Sequence, residues 1–275
     1  GRRFALFDDL FDTQAGNHIQ ASFFLSAVPA SGITAFSASG ITELVGGGGR
    51  DLVSLLLTPA SNPPGSYTMP AMSFTNWDNT GAFYRGELDL VSLTVAQGGN
   101  YTLNARDNFG SAQGLLGGSG NDTLIGSNGV DFLNGGAGVN QHYGNGGDDT
   151  LVIVNSAATA FTGADSLFDG GQGVDTFGVG GPVNFLGTMV SIERVFLDPV
   201  NPPFKLAPHL TLTGATLAVL PHDLILEGKG ALTVNMTPGT AYDATGFIVT
   251  AGSVIATTVN GSTANDHIKP GRGSQ

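Results

Sequence analysis

The sequence predicts an all-β protein, a parallel β-roll or β-helix solenoid flanked by further β rungs or β-sandwich-like segments. Its apolar runs are short, rich in Val, Ile, Leu, Phe and Thr, and separated by Gly, Asn, Asp and Pro, which is the pattern of strands joined by turns. Glycine supplies 43 of the 275 residues, about double its usual share. Between residues 117 and 152 the glycines recur with a fixed period, which is typical of stacked repeats.

The composition excludes several classes of protein. The net charge is −12, from eighteen Asp and four Glu against ten Lys and Arg, so the basic surface of a nucleic-acid-binding protein is missing. The chain has no Cys, which removes disulfides and thiolate metal sites. No apolar run reaches the roughly 18 residues that span a bilayer. Asp favours turns over helices. The excess of Asp over Glu therefore suits a β protein with many loops, or a protein that binds hard cations.

Four regions follow from composition. Residues 1–113 are a β-rich, Phe-rich N-terminal region, residues 114–178 the glycine-rich block, and residues 179–260 a second β-rich region. Residues 261–275 are interpreted as the start of a second repeat array, because "GSTANDHIK" partly matches the block. In the first region "DLVSLLL" at Asp51 recurs as "DLVSLTV" at Asp89, which predicts stacked β rungs.

The glycine-rich block resolves into units of nine residues, "GGSGNDTLI", "GSNGVDFLN", "GGAGVNQHY" and "GNGGDDTLV", which begin at Gly117 and follow one another directly. Each unit has Gly at positions one and four. Position six holds Asp or Asn, and position eight holds Leu except in the third unit, which has His142. A further unit, "GGQGVDTFG", begins at Gly170, and the segment between is interpreted as one degenerate coil with a single deletion. A flexible linker would not keep Asp and Leu in phase.

These units resemble the nonapeptide G-G-x-G-x-D-x-U-x of the RTX family, a calcium-binding β-helix repeat in which U is a large apolar residue. The resemblance implies a right-handed parallel β-roll in which two nonapeptides make one coil and Ca²⁺ lies between stacked turns. Backbone carbonyls and carboxylates are the oxygen ligands that Ca²⁺ prefers. "MVSIERVFL" (residues 189–197) also resembles a strand that follows such arrays, in which Glu193 and Arg194 would pair.

The resemblance implies a set of Ca²⁺ ligands at positions two, four and six of the repeats. They are Gly118, Gly120, Asp122, Gly129, Asp131, Gly138, Asn140, Gly147, Asp149, Asp165, Gly173, Asp175 and Asp266.

Stacking every second turn predicts two ladders. One holds Asp122, Asn140, a blank and then Asp175, and the other holds Asp131, Asp149 and Asp165. We expect Asp131 and Asp149 to form the strongest site, and the Asp122–Asn140 pair a weaker one, because Asn offers an oxygen without charge. His142 is interpreted as a neutral core or edge residue in preference to a metal ligand. Since stacked carboxylates repel one another, the roll is expected to fold on binding calcium.

Catalytic motifs are missing from the sequence. It has no H-E-x-x-H zinc motif, no G-x-S-x-G elbow and no Walker loop. The five His are scattered, and the carboxylates at Asp8, Asp9 and Asp12 are more typical of a solvated terminus or capping turn than of a catalytic cluster. The sequence therefore favours a protein that is not an enzyme.

The leading interpretation is a calcium-binding structural segment of a secreted or cell-surface bacterial protein, such as a surface-layer, matrix or adhesin protein that leaves the cell by type I secretion. Its expected partners are calcium ions, other copies of the chain or cell-surface glycan, with no nucleic acid and no membrane span. The alternative is a non-catalytic carrier module of a secreted enzyme that acts on polysaccharide or another extracellular polymer. The aromatic loop around Trp77 is the segment suited to sugars.

Overall fold

The computed structural model describes residues 2–5, 18–19, 33–34, 41–45, 52–57, 64–68, 73–75, 90–95, 98–106, 112–154, 161–163, 166–197, 207–238, 241–263 and 267–269. Trp77 and the carboxylates at Asp8, Asp9 and Asp12 lie outside these residues. The contacts divide the chain into two compact units, residues 1–150 and 151–275. In both units the described strands pair in parallel, which confirms the predicted β-solenoid. The boundaries of the four predicted regions stay a prediction.

The described strands of the first unit are β1 (Arg2–Ala5), β2 (His18–Ile19), β3 (Ile33–Thr34), β4 (Ile41–Val45), β5 (Leu52–Leu57), β6 (Ser66–Thr68), β7 (Ser73–Thr75), β8 (Leu90–Val95), β9 (Thr102–Asn104), β10 (Ala112–Leu116), β11 (Thr123–Ile125), β12 (Asp131–Asn134) and β13 (Gln141–Tyr143). They form three stacks, β1-β4-β7, β2-β5-β8-β10-β12 and β3-β6-β9-β11-β13. The earlier coils therefore have three strands each, whereas the glycine-rich coils β10–β11 and β12–β13 have two.

The second unit contains most of β14 (Thr150–Val154), followed by β15 (Phe161–Gly163), β16 (Leu167–Asp169), β17 (Thr176–Gly180), β18 (Pro182–Phe185), β19 (Thr188–Val190), β20 (Arg194–Leu197), β21 (His209–Thr213), α1 (Gly214–Leu217), β22 (Ile225–Asn235), β23 (Ala241–Asp243), β24 (Ile248–Val249), β25 (Val254–Asn260) and β26 (His267–Lys269). The stacks are β14-β17-β20-β22-β24, β15-β18-β21-β22-β25, β16-β19 and β23-β26. The helix α1 is a single turn, capped by the Thr213 hydroxyl, which accepts from the Thr216 N–H at 3.0 Å.

The two similar seven-residue segments of the first region, which begin at Asp51 and Asp89, form strands that stack on each other as predicted. Strand β5 pairs in parallel with β8 so that Leu52 lies opposite Leu90 and Leu55 opposite Leu93. Identical residues therefore occupy the same register position in neighbouring coils, as stacking of a repeated strand requires.

The interval between the fourth and fifth nonapeptides differs from the single degenerate coil expected from the sequence. Strand β15 (Phe161–Gly163) adds a third side, pairs with β18, and leaves β17 beside β14. Asp175, directly before β17, therefore does not lie two coils beyond Asn140 with a blank between them, as the simple stacking rule predicted. The rule failed because it counts residues in nines, whereas a third strand changes the number of residues in a coil.

The core is a line of apolar side chains along each solenoid. Position eight of the nonapeptides supplies Leu124, Leu133 and Leu151, all fully buried, and strand β11 alternates half-buried and buried residues as a period of two requires. In the second unit, the rings of Phe168, Phe177 and Phe185 have centroids 4.9 to 5.6 Å apart, and two of the three pairs pack edge to face. No described helix is long and apolar enough to cross a membrane.

Candidate calcium-binding turns

The candidate site consists of the turns that precede the strands of the glycine-rich block. We number them turn 1 (residues 117–122), turn 2 (126–131), turn 3 (135–140), turn 4 (144–149) and turn 5 (170–175). Each ends at position six, and the described side chains there are buried, with at most 3% of their surface exposed: Asp122, Asp131, Asn140, Asp149 and Asp175. A carboxylate is seldom buried without a compensating partner, so these residues identify the turns as the polar centre of the array.

The position-six side chains form a ladder of hydrogen bonds from coil to coil. The Asn140 Oδ1 atom accepts from the Asp122 backbone N–H at 2.8 Å, and the Asp149 Oδ1 atom accepts from the Asp131 N–H at 2.8 Å. Both bonds join residues 18 positions apart. The strand registers repeat this offset, with Gln113 opposite Asp131. Two nonapeptides therefore make one coil, as the resemblance implied.

Two residues that the sequence analysis did not place in a ladder make bonds of the same kind, one in each unit. The Glu193 Oε2 atom accepts from the Asp175 N–H at 2.8 Å, again across 18 residues, and Arg194 lies 3.6 Å from Glu227. On the other side, the Tyr101 N–H donates to the Asp122 Oδ1 atom at 2.7 Å. The signal for Tyr101 was present in "GNYTL" (residues 99–103), which matches "GNDTL" (residues 120–124) with Tyr in place of Asp.

The position-one glycines hold the carboxylates close to the backbone. A Cβ atom on Gly117 would lie 2.5 Å from the Asp122 Oδ2 atom and 2.8 Å from the Gly135 carbonyl oxygen. A Cβ on Gly126 would lie 2.5 Å from the Asp131 Oδ2 atom and 2.7 Å from the Gly144 oxygen. At position one a side chain would therefore occupy the space in which carboxylate and carbonyl oxygens of two stacked turns meet.

The Asp122 carboxylate of turn 1 has an unsatisfied oxygen. Its Oδ2 atom is buried and makes no hydrogen bond with the described residues. Burial raises the pKa of the Asp122 carboxyl from 3.8 to about 6, although the hydrogen bond from Tyr101 lowers it. At neutral pH this carboxylate is therefore negatively charged, with one oxygen bonded to the Tyr101 N–H and the other buried without a donor among the described residues.

Turn 2 has a different hydrogen-bond pattern. The Ser127 N–H donates to the Asp131 Oδ2 atom at 2.6 Å, and the Ser127 hydroxyl lies 3.2 and 3.1 Å from the two carboxylate oxygens. The same hydroxyl oxygen accepts from the Gly129 N–H at 3.0 Å. Neither Ser127 nor Gly129 has a positive φ, whereas Gly118 and Gly120 at the same positions of turn 1 do.

Turn 3 has an amide where the other turns have a carboxylate. The Asn140 Nδ2 atom lies 3.4 Å from the carbonyl oxygens of both Gly136 and Gly138. These long contacts show that the carbonyls of positions two and four converge on the position-six side chain. With a carboxylate in that place, three groups of negative polarity would face one another.

His142 occupies the apolar position eight of the third repeat and is buried. Its Nε2 atom accepts from the Gly135 N–H at 3.1 Å, so that nitrogen carries no proton. The structure thus has a core histidine in agreement with the neutral interpretation, and its ring orders the first residue of turn 3.

The donor set fits a hard cation such as Ca²⁺. Turn 1 offers a buried carboxylate oxygen without a partner, and turn 3 shows that backbone carbonyls converge beside position six. No group of three or more His, Asp and Glu side chains lies together among the described residues, so a bound ion would take much of its coordination from carbonyls, which Ca²⁺ accepts. When bound, the ion would supply the positive charge that the buried oxygens lack.

The other predicted ligand positions lie in the same turns. Gly120, Gly138, Gly147 and Gly173 at position four have positive φ, as does Gly118 at position two. Asp165 and Asp266 lie outside the described residues, so the predictions for the third member of one ladder and for the second repeat array stay untested. The set of ligands as a whole stays a prediction.

Replacing Asp122 by Asn is expected to stabilise the calcium-free protein at neutral pH. The folded-state pKa of about 6 lies above the ordinary 3.8, so Asp122 contributes stability below pH 3.8 that is lost as pH rises through 6. The variant should therefore gain about 1–3 kcal/mol over wild type in chelator at pH 7.5. The gain should shrink at pH 4.5. Urea denaturation of both proteins at the two pH values measures it, and an equal difference at both would contradict the assignment.

Comparison with known proteins agrees with this geometry. Residues 116–151 match the family model of the RTX calcium-binding nonapeptide repeat, in four copies. No curated protein and no solved structure gives a significant match to the chain. The matched segment covers turns 1 to 4 and the strands β11, β12 and β13, and it ends inside β14. Residues 116–151 of this chain are therefore an array of RTX calcium-binding nonapeptide repeats.

Proposed function

We propose that the chain is a calcium-binding structural segment of a secreted or cell-surface bacterial protein, of the surface-layer, matrix or adhesin kind, and that it is not an enzyme. The observation that carries the proposal is the buried Asp122 carboxylate, whose Oδ2 atom has no hydrogen-bond partner among the described residues, in a turn of an RTX array. Calcium binding would compensate that charge only in the folded state, so binding stabilises the solenoid.

A structural role is supported by the way the polar groups are used. The ladder carboxylates accept hydrogen bonds from the backbone of neighbouring coils, so their lone pairs hold turns together. A general base or nucleophile needs its lone pair directed at a substrate. Secretion is supported by the array itself, because extracellular calcium modules bind at about 10⁻⁴–10⁻³ M, a concentration range met outside the cell.

Calcium binding is tested by replacing a buried and an exposed aspartate in parallel. We expect Asp122→Asn to weaken calcium binding at turn 1 by at least about tenfold, which is 1.4 kcal/mol, because it removes the charge. Asp148→Asn is the matched control, since Asp148 lies at the exposed position five of turn 4 and should change affinity by less than about threefold. Isothermal titration calorimetry measures both. Equal effects of the two substitutions, or no calcium binding by wild type, would refute the proposal.

The proposed structural role includes calcium-dependent association of several copies of the chain. The chain has a formal charge of −12, so copies repel one another at neutral pH, and a divalent cation reduces that repulsion. Light scattering at increasing calcium should then show oligomers, with equal ionic strength of NaCl as the control. A strict monomer at saturating calcium would leave the structural role without self-association.

A further inference from the structure

Turns 2 and 3, in the middle of the array, differ from turn 1 in one respect that bears on calcium. In both, a donor from the protein points at the oxygens that a cation would otherwise compensate. The donors are the Ser127 N–H and hydroxyl in turn 2 and the Asn140 amide in turn 3. In turn 1 the equivalent oxygen, Asp122 Oδ2, has no donor among the described residues.

We infer that the position-six side chains of turns 2 and 3 are closed by these built-in donors and hold no calcium ion, so that the array binds fewer ions than its four repeats imply. This inference rests on the proposed calcium-binding function and adds to it which turns are used. It reverses the order of calcium affinity expected from charge alone, in which Asp131 and Asp149 formed the strongest site.

In turn 2 the closure depends on Ser at position two. Two donors of Ser127, its backbone N–H and its single hydroxyl proton, face the two oxygens of Asp131 at 2.6 to 3.2 Å, and the backbone of turn 2 lacks the positive φ that Gly118 and Gly120 give turn 1. An ion could bind there only after those bonds were broken, and hydrogen bonds to a charged group are among the strongest that a protein makes. Ser127 therefore acts as a specificity-determining residue for calcium.

In turn 3 the closure depends on the amide at position six. The Asn140 Oδ1 atom accepts from the Asp122 N–H, which fixes the orientation of the amide, because the flipped amide would set NH₂ against an N–H and oxygen against two carbonyls. The Nδ2 group consequently stands where a positive charge would stand. A carboxylate at residue 140 would keep the bond to Asp122 and face the two carbonyls with a negative oxygen, which a cation can compensate.

Equilibrium dialysis with ⁴⁵Ca²⁺ counts the ions bound by the whole chain and tests the inference by gain of a site. Asn140→Asp is expected to add one ion per chain, while Asn140→Ala, the control that removes donor and acceptor, adds none. Asp131→Asn is expected to leave the number of ions unchanged and the affinity within about threefold of wild type. Circular dichroism in excess calcium confirms that each variant is folded.

A second readout is stability in chelator, which does not depend on counting ions. Asn140→Asp should lower the urea midpoint without calcium and raise it with calcium, whereas Asn140→Ala should lower it in both. The inference is overturned if Asn140→Asp adds no ion, or if Asp131→Asn removes one as Asp122→Asn does. If wild type binds no calcium the proposed function fails, and an ion gained by Asn140→Asp in that background would still support the closed turn.

Discussion

Chelating calcium is expected to lower the free energy of unfolding by about 2.7 kcal/mol for each ion released, when free calcium stood at 100 times its dissociation constant. The effect is large because the buried Asp122 oxygen would lose its compensating charge while remaining out of water. Urea denaturation, with 5 mM calcium and with chelator, measures the difference. Asp122→Asn should show a smaller difference than wild type, because one site has been removed.

Removal of calcium also tests whether the array needs the ion in order to fold. The charge pattern predicted a roll that is largely disordered without calcium. Far-UV circular dichroism should then lose β-sheet signal on chelation and regain it when calcium is restored. A spectrum that chelator leaves unchanged would mean that the neighbouring three-stranded coils and the built-in donors hold the array. Addition of Mg²⁺ in place of calcium is the control for ionic strength and for divalent charge.

Substituting Ala for Gly136 is expected to cost about 3 kcal/mol or more of stability. Gly136 has a φ of 75°, and a Cβ there would lie 1.8 Å from the Gly118 carbonyl oxygen. That oxygen accepts from the Ala137 N–H at 2.9 Å and joins turn 3 to turn 1, so the substitution would separate the turns. Thermal and urea denaturation of the variant in saturating calcium measure the loss.

Two further glycines separate the steric part of this effect from the backbone part. Gly252 also has a positive φ, of 84°, but nothing lies within 4 Å of its would-be Cβ, so Gly252→Ala should cost only the strain, about 1–2 kcal/mol. Gly146 lies inside the array without a positive φ, and its nearest neighbour would be at 3.6 Å. Gly146→Ala should therefore change stability by less than about 0.5 kcal/mol. A loss at Gly146 equal to that at Gly136 would contradict the stacking.

The nine-residue period predicted much of the array because its Gly, Asp and apolar positions each have a separate structural role. Position eight predicted core residues, and Leu124 and Leu133 are buried. Position six predicted calcium ligands, which stays a prediction, at residues that are buried in the turns, such as Asp122 and Asp149. The repeated heptad at Asp51 and Asp89 predicted two strands that do stack in register. These features depend on residues that are near in sequence or on an exact repeat, and both are visible as fixed spacings in the sequence.

Features that depend on neighbours across coils could not be counted in this way. The third strand β15 does not match the repeat pattern. The sequence therefore predicted a shortened coil before turn 5, whereas the structure has an additional strand there. The Ser127 and Asn140 contacts depend on rotamers and on backbone φ, and a Ser at position two reads from sequence as a minor departure from Gly. Tyr101 was missed because it keeps the turn but replaces the ligand.

The ladder of 18-residue hydrogen bonds gives the array a direction. In each bond the later residue provides the side-chain acceptor and the earlier residue the backbone donor, as for Asn140 and Asp122 or Glu193 and Asp175. Loss of a coil on the C-terminal side therefore leaves an unsatisfied buried N–H in the coil before it, whereas loss on the N-terminal side spares that donor. Bonds such as that from the Gln141 N–H to the Asp122 carbonyl oxygen, at 2.8 Å, run the other way. Since a buried orphan N–H is rarely tolerated, each inner coil is completed by both of its neighbours, by a side chain of the coil after it and by a carbonyl of the coil before it.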